Sequence, residues 1–246
     1  MTRYVIDRAE SLGVCQDMIV VAGDEAGGNL AAAVAVELGD SSIKLQLLIN
    51  PALQMMNFAT PSYQEEQENN LIPGITSRER EIDCWMRYAN IGSSMKPYMQ
   101  TNIHVSWKPY RHQSRFIESR MYIPAHLNVT QKHTIHNNKS VDRVLDHYVL
   151  DTRLNPMFLM DVRHVPDAYI VTAQYDVLRD EALMYGKRLQ DDGVTVEMAH
   201  YHHGFHGFFL FAGGGWLELE ESRQAMKDLN FYLHTEVLGL PVSDIR

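Results

Sequence analysis

Three side chains in this sequence have the types that acid–base chemistry needs. Glu25 sits in "AGDEAGGNL", Asp176 closes "AYIVTAQYD", and His206 lies in "HHGFHGFF". An imidazole held by a carboxylate can take a proton from a nucleophile and later return it. Position 25 falls between a strand-like run and an alanine-rich helical run, a tight turn that presents a side chain to a reacting group. Gly23 and Gly27 flank it, and both are expected to be needed there because a Cβ would strike the neighbouring backbone. The backbone N–H of Ala26, at the start of the helix, would face a developing oxyanion, and the helix dipole would add positive potential. Glu25 taken alone reads more simply as a helix first-turn acid. With Asp176 and His206 it reads as a site whose nucleophile position holds a carboxylate.

For these three to meet, the elements around them must deliver them to one edge. Met18 to Ala22 ("MIVVA") reads as a short buried parallel strand. Gly27 to Leu38 reads as a helix stopped by Gly39–Asp40, and Ile43 to Ile49 as a second strand ended by Asn50–Pro51. Val165 onward gives a third strand ending at Asp176. Arg179 to Asp191 is an amphipathic helix with Leu183 and Leu189 inward, Val194 to Ala199 a fourth strand, and Leu217 to Leu233 a final helix. Strands alternating with helices imply an α/β fold with a mostly parallel sheet, helices on both faces and right-handed crossovers. In such a sheet, groups beyond the carboxyl ends of the strands converge at one edge. Residues 52–150, rich in Met, Tyr, His and Asn with scattered prolines, read as a lid-like helical insertion within one domain spanning 1–246. Ser77 caps a helix there that runs to Ala89.

Composition narrows the function classes. The chain has 246 residues, 45% hydrophobic and 22% charged, with a formal net charge of −9. That suits a globular chain with a sizeable core and argues against nucleic acid as a partner, because no basic cluster appears. No apolar run is long enough for a transmembrane segment. Cys15 and Cys84 make no disulfide framework. The histidines at 200, 202, 203 and 206 match no compact zinc spacing, so no metal is expected, and no cofactor is implied. Sequons at Asn128 and Asn138 hint weakly at glycosylation in a secretory compartment. Asp180 and Glu181 read as ordinary helix-start acids. Tyr63, Trp85 and Trp107 are candidates for core packing or for the lining of an acyl or aryl pocket.

The chain order of nucleophile position, acid and histidine fits the α/β-hydrolase arrangement. "GDEAGGNLAAAVA" resembles the "GDSAGGNLAAAVA" elbow of the hormone-sensitive-lipase group of α/β-hydrolases, and the arylacetamide deacetylase-like branch most closely. The resemblance continues through "INPALQ", "QTNIHVS", "VPDAYIVTAQYDVLRDEALMYGKRLQDDGV" and "HHGFHGFF". It implies hydrolysis of small carboxylic esters or amides through a serine acyl-enzyme, with Asp176 as the acid and His206 as the base. It also implies an upstream HGGG-type oxyanion loop, earlier strands and a membrane anchor. None is present here, so the chain reads as N-terminally incomplete. An endoplasmic reticulum lumen or membrane location follows only from the resemblance. The Met18–Ala22 strand would then be an uncovered edge, open to pairing with another chain or segment.

Glu25 breaks the family pattern. A carboxylate has no proton for His206 to remove and is a poor acyl acceptor. Carboxylate nucleophiles on this fold, in dehalogenases and epoxide hydrolases, are the shorter Asp and attack alkyl carbon. Losing a triad serine costs about 10⁶-fold in a comparable hydrolase. The expectation is therefore a weak or inactive hydrolase, or a non-catalytic pseudohydrolase that binds a small molecule or a protein. Two carboxylates beside one imidazole should also keep His206 charged at neutral pH.

Overall fold

A computed structural model describes residues 1–69, 76–127 and 145–244. Asn128 and Asn138 lie outside the described residues. Among these residues the sheet has four strands, β1 (Val20–Asp24), β2 (Leu45–Ile49), β3 (Asp167–Tyr175) and β4 (Val196–Phe205), all parallel and in the order β1-β2-β3-β4. The α/β class expected from alternating strands and helices is what the fold shows.

Alternation along the strands separates two apolar layers. Leu48 and Ile170 face the layer that holds Ala31, Ala32, Ala182 and Leu189, from the helices Ala26–Leu38 and Arg179–Asp191. Leu45, Leu47, Tyr169 and Val171 face the other, with Ala225 and Leu229 of the helix Glu220–Tyr232. Leu183 is only partly buried, at the margin of the first layer. Apolar residues of the 52–150 stretch, including Phe58, Trp85 and Met99, belong to that same layer. Its helix Arg78–Tyr88 is capped by Ser77, whose Oγ accepts from the Arg80 N–H at 3.2 Å.

All four strands differ in their bounds from expectation, β2 and β3 by a residue or two at their ends, and β1 and β4 for tertiary reasons. β1 covers Val20–Asp24 and not Met18–Ala22, because Gln16–Met18 forms a 3₁₀ turn and the register on β2 runs from Val20↔Leu45 to Asp24↔Ile49. It pairs on one side only among the described residues and stays half-buried. β4 continues past Ala199 to Phe205, through residues that look too polar for a strand. Pairing with β3 carries it, with a register shift between Ala173 and Tyr175, where Gly204 approaches the Ala173 Cβ. As the outer strand of this sheet, β4 can leave His202 and His203 in solvent.

The turn from β1 into its helix is set by close backbone approach. A Cβ on Gly23 would stand 2.0 Å from the Gly27 carbonyl oxygen, and one on Gly28 would stand 2.9 Å from the Pro51 Cβ. Gly27, expected to share this constraint, has open space where its Cβ would be. The crossing of helix and strand is therefore governed by Gly23 and Gly28. Gly23→Ala should lower stability by about 1–3 kcal/mol or prevent folding. Gly27→Ala should be neutral or raise stability by up to ~1 kcal/mol, since alanine favours helix. Urea denaturation of both variants checks the contrast.

Candidate active site

Glu25 occupies a backbone conformation that few non-glycine residues adopt, with φ 52° and ψ −113°. Such geometry costs roughly 1–3 kcal/mol and persists only where surrounding structure holds it. Here the Glu25 N–H donates to the Ile49 carbonyl at 3.0 Å. Its own carbonyl accepts from the N–H groups of Asn29 at 3.1 Å and Ala52 at 3.3 Å. The strand end, the new helix and the loop after β2 thus clamp one peptide, and the side chain is thrust beyond the sheet edge. Ala26 follows as the first residue of the helix and lines the cleft beside Glu25.

The three candidate side chains meet there. His206 Nδ1 lies 3.0 Å from Asp176 Oδ1, and His206 Nε2 lies 3.6 Å from Glu25 Oε2. Asp176 Oδ1 also accepts from the Leu178 N–H at 2.9 Å, which holds the carboxylate at the mouth of its turn. The His206 N–H reaches back to the Tyr175 carbonyl at 3.4 Å and seats the imidazole beside the end of β3. Asp176 and His206 are both nearly closed to solvent, whereas the Glu25 side chain keeps 34% of its exposure.

Charge at this edge is lopsided. Burial alone would lower the His206 pKa, but Asp176 and then Glu25 and Glu81 outweigh it and hold the imidazole far above its ordinary 6.5. The hydrogen bond to His206 lowers Glu25 below 4.5, against the effect of burial. Burial raises Asp24, which also feels Glu25 and Asp176. Glu81, 1% exposed, is pushed to about 7, first by burial and next by Glu25. Four carboxyl groups therefore surround one imidazole. A doubly protonated ring has no lone pair to accept another proton, so this His206 cannot act as a general base while it stays charged.

Glu81 and Asp24 were not legible as site residues. Glu81 looks like a first-turn acid, and only the packing of its helix over the sheet edge brings it near Glu25. Asp180 and Glu181, read as ordinary helix-start acids, are completely buried. Glu181 accepts from the N–H groups of Leu53 at 2.7 Å and Gln54 at 3.1 Å, and Asp180 accepts from the Ser62 N–H at 2.6 Å. They tie the segment after β2 to the helix that follows Asp176. Of the aromatic candidates, Trp85 lines the cleft beside Glu25, Tyr63 is core and donates to Glu181, and Trp107 is half exposed. The rings of His200 and His202 meet edge to face on β4, with centroids 4.8 Å apart, and of that cluster His206 is the one that reaches Glu25.

A strand–strained turn–helix, with an acid and a histidine after later parallel strands, is the arrangement of the α/β-hydrolase fold. A family model described as alpha/beta hydrolase fold matches residues 1–107 and 117–210. The chain belongs to this family, in its hormone-sensitive-lipase group. It is 37% identical to arylacetamide deacetylase of Mus musculus over 218 residues, covering 84% of this chain and 53% of that protein. It is 32% identical to neutral cholesterol ester hydrolase 1 of Bos taurus over 205 residues, covering 78% and 48%. The chain thus spans about half the length of the curated relatives it matches. Among solved structures it resembles a Pyrobaculum calidifontis esterase, with a TM-score of 0.59 and 25% identity, covering 96% of this chain and 58% of that one. A bacterial heroin esterase, at 21% identity and a TM-score of 0.59, shares the fold.

Two measurements check the electrostatics. In a ¹⁵N titration, His206 should stay doubly protonated through neutral pH; a midpoint at or below 6.5 contradicts the charged ring. The raised Glu81 value means that the folded state holds a proton which the unfolded chain releases near 4.5. Stability should then fall by up to about 1.4 kcal/mol per pH unit from roughly pH 4.5 to 7 on this account. Glu81→Gln should flatten that slope in denaturant titrations.

Proposed function

We propose that this chain derives from carboxylic ester or amide hydrolases of the arylacetamide deacetylase type and that its own hydrolysis is weak or lost. The observation that carries the reading is the contact of Glu25 Oε2 with His206 Nε2 at 3.6 Å, made from a strained elbow. A serine there would offer His206 a proton in exchange for a bond to the acyl carbon. Glu25 offers a negative charge and adds to the pull of Asp176 that holds the imidazole protonated. The residue that fails as a nucleophile thus also works against the base. The Ala26 N–H at the helix start is the oxyanion donor we assign within this chain, and we assign the described part of the 52–150 stretch as the lid-like wall of the acyl side.

A second reading is a non-catalytic small-molecule binder. It is favoured by the narrow, mostly apolar cleft beside Glu25, walled by Trp85, Tyr88 and Ala52.

Hydrolysis of p-nitrophenyl acetate separates the two. The unsubstituted chain should turn over no faster than His206→Ala. Glu25→Ser should raise the rate by about 10²-fold or more, part of the ~10⁶-fold that a triad serine supplies, and adding His206→Ala should abolish the gain. Turnover by the unsubstituted chain well above the His206→Ala control sinks the first reading. A Glu25→Ser chain that stays silent favours the binder.

A further inference from the structure

Just after His206 the chain runs without a charge from Phe208 to Leu217, "FFLFAGGGWL". Such a run usually belongs in a core, but here only its root is buried. Phe208 is closed to solvent and packs on the Tyr201 ring, with centroids 5.3 Å apart, and the Phe211 ring lies 6.0 Å from that of Phe205. These contacts pin the 3₁₀ turn Phe208–Phe211, which presents Leu210 outward, 77% exposed. Gly213, Gly214 and Gly215 then carry the chain through open space, with nothing within 4 Å of where a Cβ would stand. Gly214 and Gly215 turn it at positive φ. Beyond them come Trp216, 91% exposed, and Leu217, 53% exposed.

An exposed apolar patch of this kind marks a contact surface. Leu210, Trp216 and Leu217 together offer roughly half of the 800 Å² that each side of a specific protein interface buries. A second copy of the chain would need more area and a matching shape. A lipid surface needs no matching shape and rewards apolar area itself. An indole suits its boundary, because the ring is apolar and the N–H can stay wet. The backbone agrees with a shallow depth. The N–H groups of Gly213 to Leu217 donate to no backbone or side-chain acceptor among the described residues. Hydrocarbon would leave them unpaired, whereas headgroup depth supplies phosphate, ester carbonyls and water. Charge selects among lipids. Glu220 is exposed at the foot of the loop, Glu218 is taken up by Arg223 at 2.5 Å, and the chain carries a net charge of −9. No cation stands among residues 208–217, so an anionic headgroup gains nothing there. Among the described residues no helix is long and apolar enough to cross a membrane, so the contact made by this loop is peripheral.

We propose that the loop Phe208–Leu217 docks on a zwitterionic lipid surface, with Leu210, Trp216 and Leu217 seated where headgroups meet acyl chains. The contact lies beside the sheet edge that holds Glu25 and His206, and it holds whether or not that site turns over esters.

Sedimentation of the full chain with sucrose-loaded phosphatidylcholine vesicles tests it. The chain should pellet with the vesicles at millimolar lipid, and its tryptophan emission should shift to the blue as Trp216 leaves water. Trp216→Ser combined with Leu210→Ser should weaken partitioning by about tenfold or more. Both side chains are mostly exposed, so the double variant keeps its core, which circular dichroism checks. Exchanging part of the phosphatidylcholine for phosphatidylserine should not strengthen binding. No pelleting at millimolar lipid overturns the proposal. So does pelleting that the double variant leaves unchanged, or that requires phosphatidylserine and is released by salt. Concentration-dependent dimers on gel filtration that the double variant abolishes, without vesicle binding, give the patch to a second copy and overturn it too. Ester turnover is read separately on a soluble substrate, so failure here leaves the impaired-hydrolase reading standing, and the reverse also holds.

Discussion

The arrangement at the sheet edge depends on one imidazole shared by two carboxylates. Asp176 holds His206 at Nδ1 from the turn after β3, and Glu25 meets it at Nε2 from the turn after β1. In a triad the first contact orients the ring and the second passes a proton. Here both contacts are to acids, so the ring becomes the positive centre of an ion triplet. Buried charges persist only when they are paired and hydrogen-bonded. The Leu178 N–H on Asp176 and the partial exposure of Glu25 help meet that condition.

The scaffold around this triplet is a strand–turn–helix elbow of the α/β-hydrolase fold. The Glu25 peptide remains strained, Gly23 still allows the helix to cross close over the strand, and Asn29 still bridges the Ala52 and Leu154 carbonyls at 2.8 Å each. A backbone with those constraints costs stability whatever side chain it presents. The elbow is thus held by its backbone contacts and not by the chemistry of the side chain at position 25.

The acids do separate work. Glu25, Glu81, Asp24 and Asp176 act on His206 and on one another at the sheet edge. Asp180 and Glu181, fully buried, knit the segment after β2 to the helix after β3. Arg179, fully buried, bridges Asp180 at 3.0 Å and Glu65 at 2.8 Å and extends the same tie toward the helix Pro61–Asn69. The helix that follows Asp176 is thereby anchored to Ser62, Leu53 and Gln54.

Much of this was legible in the chain itself. Apolar strands alternating with capped helices dictate a parallel α/β sheet, because both periodicities and the Gly–Asp and Asn–Pro stops are local. The candidacy of Glu25, Asp176 and His206 follows from residue types beside recognisable turns, and the misfit of Glu25 from the resemblance to the hydrolase elbow. Other features were not local. The register of β1 on β2, the extension of β4 through polar residues, and the choice of Gly28 over Gly27 as the close-packed glycine all depend on neighbours distant in sequence. So does Glu81, whose helix lies more than fifty residues from Glu25 in the chain. A side chain's burial and the potential around it are sums over everything packed against it, and only tertiary structure decides what those neighbours are.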